Sequence, residues 1–179
     1  MNESNLISKE NLLSFIYISF LLAVGRLIPH PPNFTPILAA AIVAPYIINN
    51  RILSLLIPIT AMVIADIFIG FYQGIIWIYG SILLCGFLSD YFKNFGSYKL
   101  QLGFMAILSS LIFFIITNFS FWIIGDFYPK TFDGLILCYT MAIPFFRNTI
   151  LSTLIYTGLF IVLIDCLKGT ILGLKLRIV

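Results

Sequence analysis

Histidine occurs once in this chain, cysteine three times and tryptophan twice, and charged residues fill only 9% of its 179 positions. Each shortage removes a class of function. A lone imidazole at His30, with Cys85, Cys138 and Cys166 far apart and no CxxC pair, supplies neither a structural zinc site nor a disulfide framework. The cysteines are expected to act as small buried hydrophobes. Ten basic residues against seven acidic ones leave a net charge of +3, and the basic ones sit near the ends of apolar runs rather than in a stripe among aromatics. Nucleic acid is therefore not an expected partner. There is no nucleophile elbow, HExxH pair, P-loop or dinucleotide fingerprint, so no catalytic residue and no cofactor is assigned. Uphill movement of a solute would need a partner or an ion gradient.

What the chain does have is apolar length. It is 61% hydrophobic, with a mean hydropathy of +1.09, which predicts an all-α, polytopic membrane protein forming a single domain over residues 1–179. Its apolar segments recur along the whole sequence, and the first follows the polar stretch MNESNLISKENL, so no cleaved signal peptide is expected. A spanning helix needs about 20 apolar residues, with a working range of roughly 17 to 25. Six are predicted, over 12–28, 36–48, 52–71, 74–88, 100–124 and 147–164, the second and fourth being short. Residues 1–11 form an N-terminal segment and 166–179 an interfacial tail. Gly134 to Ile143 is too short to span and Pro144 should stop it, which predicts a short interfacial helix before the last span.

Lysine and arginine set the expected orientation. Lys9, Arg51, Lys93, Lys99, Lys168, Lys175 and Arg177 fall on the side of the N-terminus, against Lys130, Arg26 and Arg147 opposite. Both termini should lie in the cytoplasm of a cell carrying this protein in its inner membrane. PHPPNFTP, YQG and GDFYPKTFDG then fall outside. No motif repeats between the two halves.

Once the segments are oriented, the rare polar residues gather at one depth. Arg26 and Asp66 are intramembrane charges, which either pair structurally, snorkel, or line a wet cavity. His30 stands between Pro29 and Pro31 in a loop the prolines make stiff, together with Asn33. Asn118 and Trp122 close the fifth segment and serve as interhelical glue, aromatic belt or cavity wall. Arg147 beside Asn148 is expected at a helix N-terminus, where the free N–H groups and the dipole favour an anion. Small residues four apart, Ser19 with Ala23 and Ala40 with Ala44, mark helix contacts, either within the bundle or with a partner.

Three blocks, RLIPHPPNFTPILAAAI, ADIFIGFYQGIIWIYGSI and ITNFSFWIIGDFYPKTFDGLILCYTMAIPFFRNTILSTLIY, resemble those of an uncharacterised bacterial membrane family associated with transport. That family is similar to the substrate-binding S components of energy-coupling-factor (ECF) transporters. The resemblance covers roughly residues 26–156. It implies a compact six-helix bundle whose outer loops and outer helix halves enclose a small molecule. It also implies a transmembrane coupling subunit and cytoplasmic ATPases as partners. It would place Arg26, His30, Asn33 and Asp66 around the site, with Asn118, Trp122, Tyr139 and Arg147. S components often meet the coupling subunit through AxxxA on their first helix, whereas here AxxxA is on the second and the first carries only SxxxA.

The leading expectation is capture of a small polar or anionic, vitamin-like or nutrient molecule from the outer face. The alternative is a membrane scaffold with a docking loop at residues 29–36. An intramembrane enzyme using His30 with Asp66 or Asp126 would need a nucleophile or metal that the sequence does not offer.

Overall fold

In a computed structural model, residues 9–48 and 50–169 are described, with side chains over 11–48 and 50–166. Six helices follow one another: α1 (Lys9–Leu27), α2 (Ile37–Ile47), α3 (Arg51–Ile69), α4 (Ile75–Phe92), α5 (Tyr98–Ile124) and α6 (Phe132–Gly169), with no strand among the described residues. Four of them, α3 to α6, are long and apolar enough to cross a membrane. The apolar parts of α1 and α2 are shorter, Asn11–Leu27 and Ile37–Ile47.

The pattern of burial is that of a protein in lipid. Large apolar side chains such as Phe20, Phe68, Ile76, Leu100 and Phe104 point outward, while Ser19, Ser54, Ser81, Ser89, Ser110 and Thr153 are buried between helices. Small hydroxyl residues inside let backbones approach and bond across, and apolar surface outside suits hydrocarbon. Ser89 Oγ donates to the Ile42 carbonyl at 2.6 Å, and Ser19 Oγ to the Ile57 carbonyl at 3.3 Å. At Gly86 a Cβ would stand 3.2 Å from the Ala41 carbonyl oxygen, so its absence lets α4 close on α2.

The short α2 lies at the centre, packed against α3, α4, α5 and α6, with Ile37 to Tyr46 all buried. A helix apolar all round belongs in an interior. Its 11 residues rise about 16 Å, roughly half the thickness of a hydrocarbon core. Ala40 and Ala44 are therefore used inside the bundle, as are Ser19 and Ala23, which pack α1 on α3.

The last part of the chain differs from the sequence expectation. Residues 134–143 do not form a separate interfacial helix, and Pro144 does not begin or end one, since α6 runs through it for 38 residues. At 1.5 Å per residue this is about 57 Å, close to twice the ~30 Å of a hydrocarbon core. Pro144 removes one N–H, but packing against α5 offsets the loss. Tyr139 Oη donates to the Ile115 carbonyl at 2.7 Å, and Phe114 sits against both Tyr139 and Phe146. A consequence is that Arg147 stands within α6 and not at its N-terminus. The tail from residue 170 lies outside the described residues, as does the segment before residue 9.

Connections 28–36, 70–74 and 125–131 lie at one end of the bundle, and Ile48, Asn50 and connection 93–97 at the other. Asn50 opens α3 by accepting the Leu53 N–H at 3.1 Å, and Gly70 and Gly74, with φ of 101° and 83°, make the tight α3–α4 turn. Near the second end Asp90 pairs with Arg51 and Lys93, each at 2.8 Å, and Lys99 with Asp165 at 2.7 Å.

Candidate functional site

The end of the bundle carrying the α1–α2 loop is stepped. Asn148 Nδ2 donates to the Pro32 carbonyl at 3.0 Å, Ser152 Oγ to the Asn33 carbonyl at 3.3 Å, and Phe34 meets Tyr156 edge to face. Residues 148, 152 and 156 are one turn apart on a single face of α6, so the loop is stitched to the middle of that helix. α5 and the first turns of α6 rise past it, and from Phe113 to Ile124 α5 climbs about 16 Å. The loop thus forms the floor of a recess walled by α4, α5 and α6.

Two cavities open there. The deeper, of about 230 Å³, is lined by Arg26, His30, Asn33 and Thr35, by Ile37, Leu38, Met62, Ile78, Ile82 and Phe113, and on α6 by Thr149, Ser152 and Thr153. The second, of about 380 Å³, lies among Thr117, Asn118, Phe121, Tyr128, Cys138 and Phe145. Both are lined by Asn33, Ile78 and Phe113, which form the neck between them. Asn33 is the one non-glycine residue with positive φ, 61°, among the described residues. Asparagine tolerates this left-handed geometry better than most side chains.

Beside the deeper cavity lies a buried polar cluster. Arg26 Nη2 is 2.9 Å from Asp66 Oδ1, and Tyr79 Oη donates to Asp66 Oδ2 at 2.8 Å. The Asp66 side chain has no exposure and that of Arg26 retains 18%. Arg26 Nε is buried with no partner among the described residues. Tyr72, in the α3–α4 turn, is held above the ordinary phenol value, first by burial and then by the Asp66 charge, with the positive charge of Arg26 opposing.

His30 behaves differently from a free ligand. Its Nε2 lies 3.1 Å from the Arg26 carbonyl and its Nδ1 2.8 Å from the Pro31 carbonyl. The ring closes the last turn of α1 by meeting a carbonyl that the helix leaves unpaired. Its edge lines the cavity, and both nitrogens lie against backbone carbonyls, to one of which the neutral ring donates.

The residues singled out in the sequence thus separate into groups. Arg26, His30 and Asn33 share the deeper cavity, with Asp66 behind Arg26, and Asn118 lines the neighbouring one. Asn118 Nδ2 donates to the Phe114 carbonyl of its own helix at 2.8 Å. Trp122, Tyr139 and Arg147 line neither cavity. Trp122 Nε1 donates to the Pro129 carbonyl at 2.9 Å, and Lys130 donates to the Trp122 and Gly125 carbonyls, so these residues shape the α5–α6 turn. Tyr139 ties α6 to α5, and Arg147 is exposed on α6.

Tyr79 and the α6 hydroxyls were not singled out by sequence reasoning. The signal was present: Thr149, Ser152, Thr153 and Thr157 recur at helical spacing within an apolar helix, a polar stripe on one face. No group of three His, Cys, Asp or Glu able to hold a metal ion occurs among the described residues.

A family model described as a family of unknown function, DUF6580, matches residues 7–173, and the chain belongs to that family. No curated protein and no solved structure matches it.

Proposed function

We propose that this protein is a multi-pass membrane transport protein, similar to an S component, that captures a small polar molecule from the outer face of the cell membrane. The observation that carries the reading is the deeper cavity. It is concave, and polar side chains, Arg26 and the Thr149–Thr153 hydroxyls among them, share its lining about equally with apolar ones. Concave sites in which polar groups converge among apolar walls are a usual form of small-molecule site. At about 230 Å³ it falls below the about 300–1,000 Å³ typical of drug-sized ligands, which fits a nutrient-sized compound.

The charge distribution supports the sidedness. Arg51, Lys93 and Lys99 lie at the end away from the cavity, and together with the basic residues near the two ends of the sequence they favour an orientation with both termini in the cytoplasm. A coupling subunit and ATPases would supply the energy. Such a partner would meet the exposed side of α1 and not its SxxxA pair, because Ser19 and Ala23 are buried.

Docking of a protein on residues 29–36 has less in its favour. The loop turns its polar groups inward: Pro32 and Asn33 carbonyls face α6, and the His30 ring faces its own backbone. The test is to extract the full-length protein in detergent, identify released small molecules by mass spectrometry, and repeat with His30→Ala and Asn33→Ala. Capture predicts a bound molecule whose occupancy falls in Asn33→Ala. Absence of any released molecule, with no thermal shift from a panel of uncharged and anionic nutrients, would sink it.

A further inference from the structure

We infer that the molecule held in the deeper cavity is uncharged and rich in hydrogen-bond donors, of the amide or ureide class, with one carbonyl-type oxygen directed to Arg26. The inference rests on the capture reading and follows from the polarity of the wall.

The anion that an arginine would otherwise recruit is already built in. Asp66, fully buried, meets Arg26 at 2.9 Å and cancels its charge, and Tyr79 Oη completes the carboxylate's partners. A ligand carboxylate or phosphate entering here would face Asp66 behind a single guanidinium, and like charges at close range disfavour that arrangement. Lys130 is turned onto backbone carbonyls of the α5–α6 turn, and Arg147 lines neither cavity. His30, beside Arg26, lies with its nitrogens against the carbonyls of Pro31 and Arg26, and the neutral ring donates its one N–H to one of these two carbonyls.

The opposite wall states its polarity in its hydrogen bonds. Thr149 Oγ1 lies 2.9 Å from the Phe145 carbonyl, Thr153 Oγ1 2.7 Å from the Thr149 carbonyl, and Ser152 Oγ within 3.3 Å of the Asn33 and Thr149 carbonyls. A carbonyl oxygen accepts and never donates, so each hydroxyl proton is committed to its carbonyl. What remains for the cavity is lone pairs. The α6 wall therefore calls for N–H or O–H donors on the ligand, a demand that an ionised carboxylate or phosphate, an acceptor only, does not meet. Arg26, which lines the cavity and keeps 18% exposure, supplies the complementary donor. The Asn33 amide, at the neck, offers both a donor and an acceptor.

The experiment is the identification of the molecule released by the wild-type protein, followed by thermal-shift titration of wild type and Asp66→Asn with benzoate and inorganic phosphate. An uncharged released molecule with at least two N–H or O–H donors is the expected result. Asp66→Asn should acquire stabilisation by benzoate or phosphate that wild type lacks, with a preference shifted toward the anion by at least tenfold. Release of a carboxylate or phosphate compound would overturn the inference while leaving capture intact. Absence of any bound molecule would remove the capture reading and this inference with it. Should Asp66→Asn fail to fold, the charge of the molecule released by wild type decides.

Discussion

Arg26 Nη2 and Asp66 Oδ1 lie 2.9 Å apart, joining the ends of α1 and α3 at a point where the carboxylate has no solvent contact. The two sides of this pair are not equivalent. Asp66 is enclosed and also serves Tyr79, whereas the guanidinium keeps partial exposure and a long stem that can carry it toward water.

Removing one member of a buried pair strands the other, at a cost of about 3–5 kcal/mol. Arg26→Gln should therefore lose most of that, since Asp66 cannot move to solvent, and Asp66→Asn should lose less. Chemical denaturation of the purified variants in detergent measures both. Equal losses would mean that the guanidinium is as confined as the carboxylate.

Asn33 carries two separable roles. Its backbone holds φ at 61°, a conformation that costs an ordinary L residue about 1–2 kcal/mol and glycine nothing. Its side chain stands at the neck between the cavities. Asn33→Gly should keep the stability of the wild type and lose ligand occupancy, while Asn33→Val should lose both. A Gly variant with full occupancy would show that the amide makes no contact with the bound molecule.

The all-helical class and the bounds of α3 and α5 were legible in the sequence because apolar length sets those bounds within a residue or two. Three features were not. α2 reads as a short span that is shallow, embedded in protein or cut too early, and its burial by four neighbours, which selects the second, is a tertiary fact that segment length alone does not encode. Pro144 reads as a break, but the Phe114, Tyr139 and Phe146 rings hold the helix through it. That one misreading moved Arg147 from a helix end to a helix interior. For the site, charge and proline spacing brought Arg26, His30 and Asn33 to one place. The α6 hydroxyls escaped because serine and threonine inside an apolar helix cost little once bonded to the preceding turn, and so leave no sharp mark in composition.

The turn between α5 and α6 has no room at Gly134. A Cβ there would clash with the Pro129 carbonyl oxygen, a backbone atom that cannot swing aside. Gly134→Ala should destabilise by about 1–3 kcal/mol, as overpacking does. At Gly158 a Cβ would meet nothing within 4 Å, so Gly158→Ala is the matched control and should be neutral or slightly stabilising. Thermal melts of the two variants give the comparison.

Orientation can be read from two exposed phenylalanines. Phe127 lies in the 125–131 connection at the cavity end, and Phe95 in the 93–97 connection at the other. With Cys166, the exposed native thiol, replaced by serine, Phe127→Cys should react on intact cells with a membrane-impermeant maleimide and Phe95→Cys only after lysis. The reverse pattern would turn the cavity toward the cytoplasm and end the reading of capture from outside.

Thr153 separates a structural role from a binding one. Its hydroxyl donates only to the carbonyl one turn earlier in its own helix, at 2.7 Å, and that carbonyl belongs to the intrahelical ladder whether or not the hydroxyl is there. Thr153→Val keeps the shape of the side chain and removes only the oxygen, so stability should change by less than about 1 kcal/mol. The cavity, in contrast, loses one of the lone pairs that would receive a ligand N–H or O–H. A lost hydrogen bond of about 1.4 kcal/mol is tenfold in affinity. The expected result is a weakening of at least tenfold for the released molecule at nearly unchanged melting temperature, measured by calorimetric titration. If instead the variant loses stability and keeps affinity, Thr153 packs α6 and does not face the ligand, and the donor-rich character assigned to the ligand would have to rest on Thr149 and Ser152 alone.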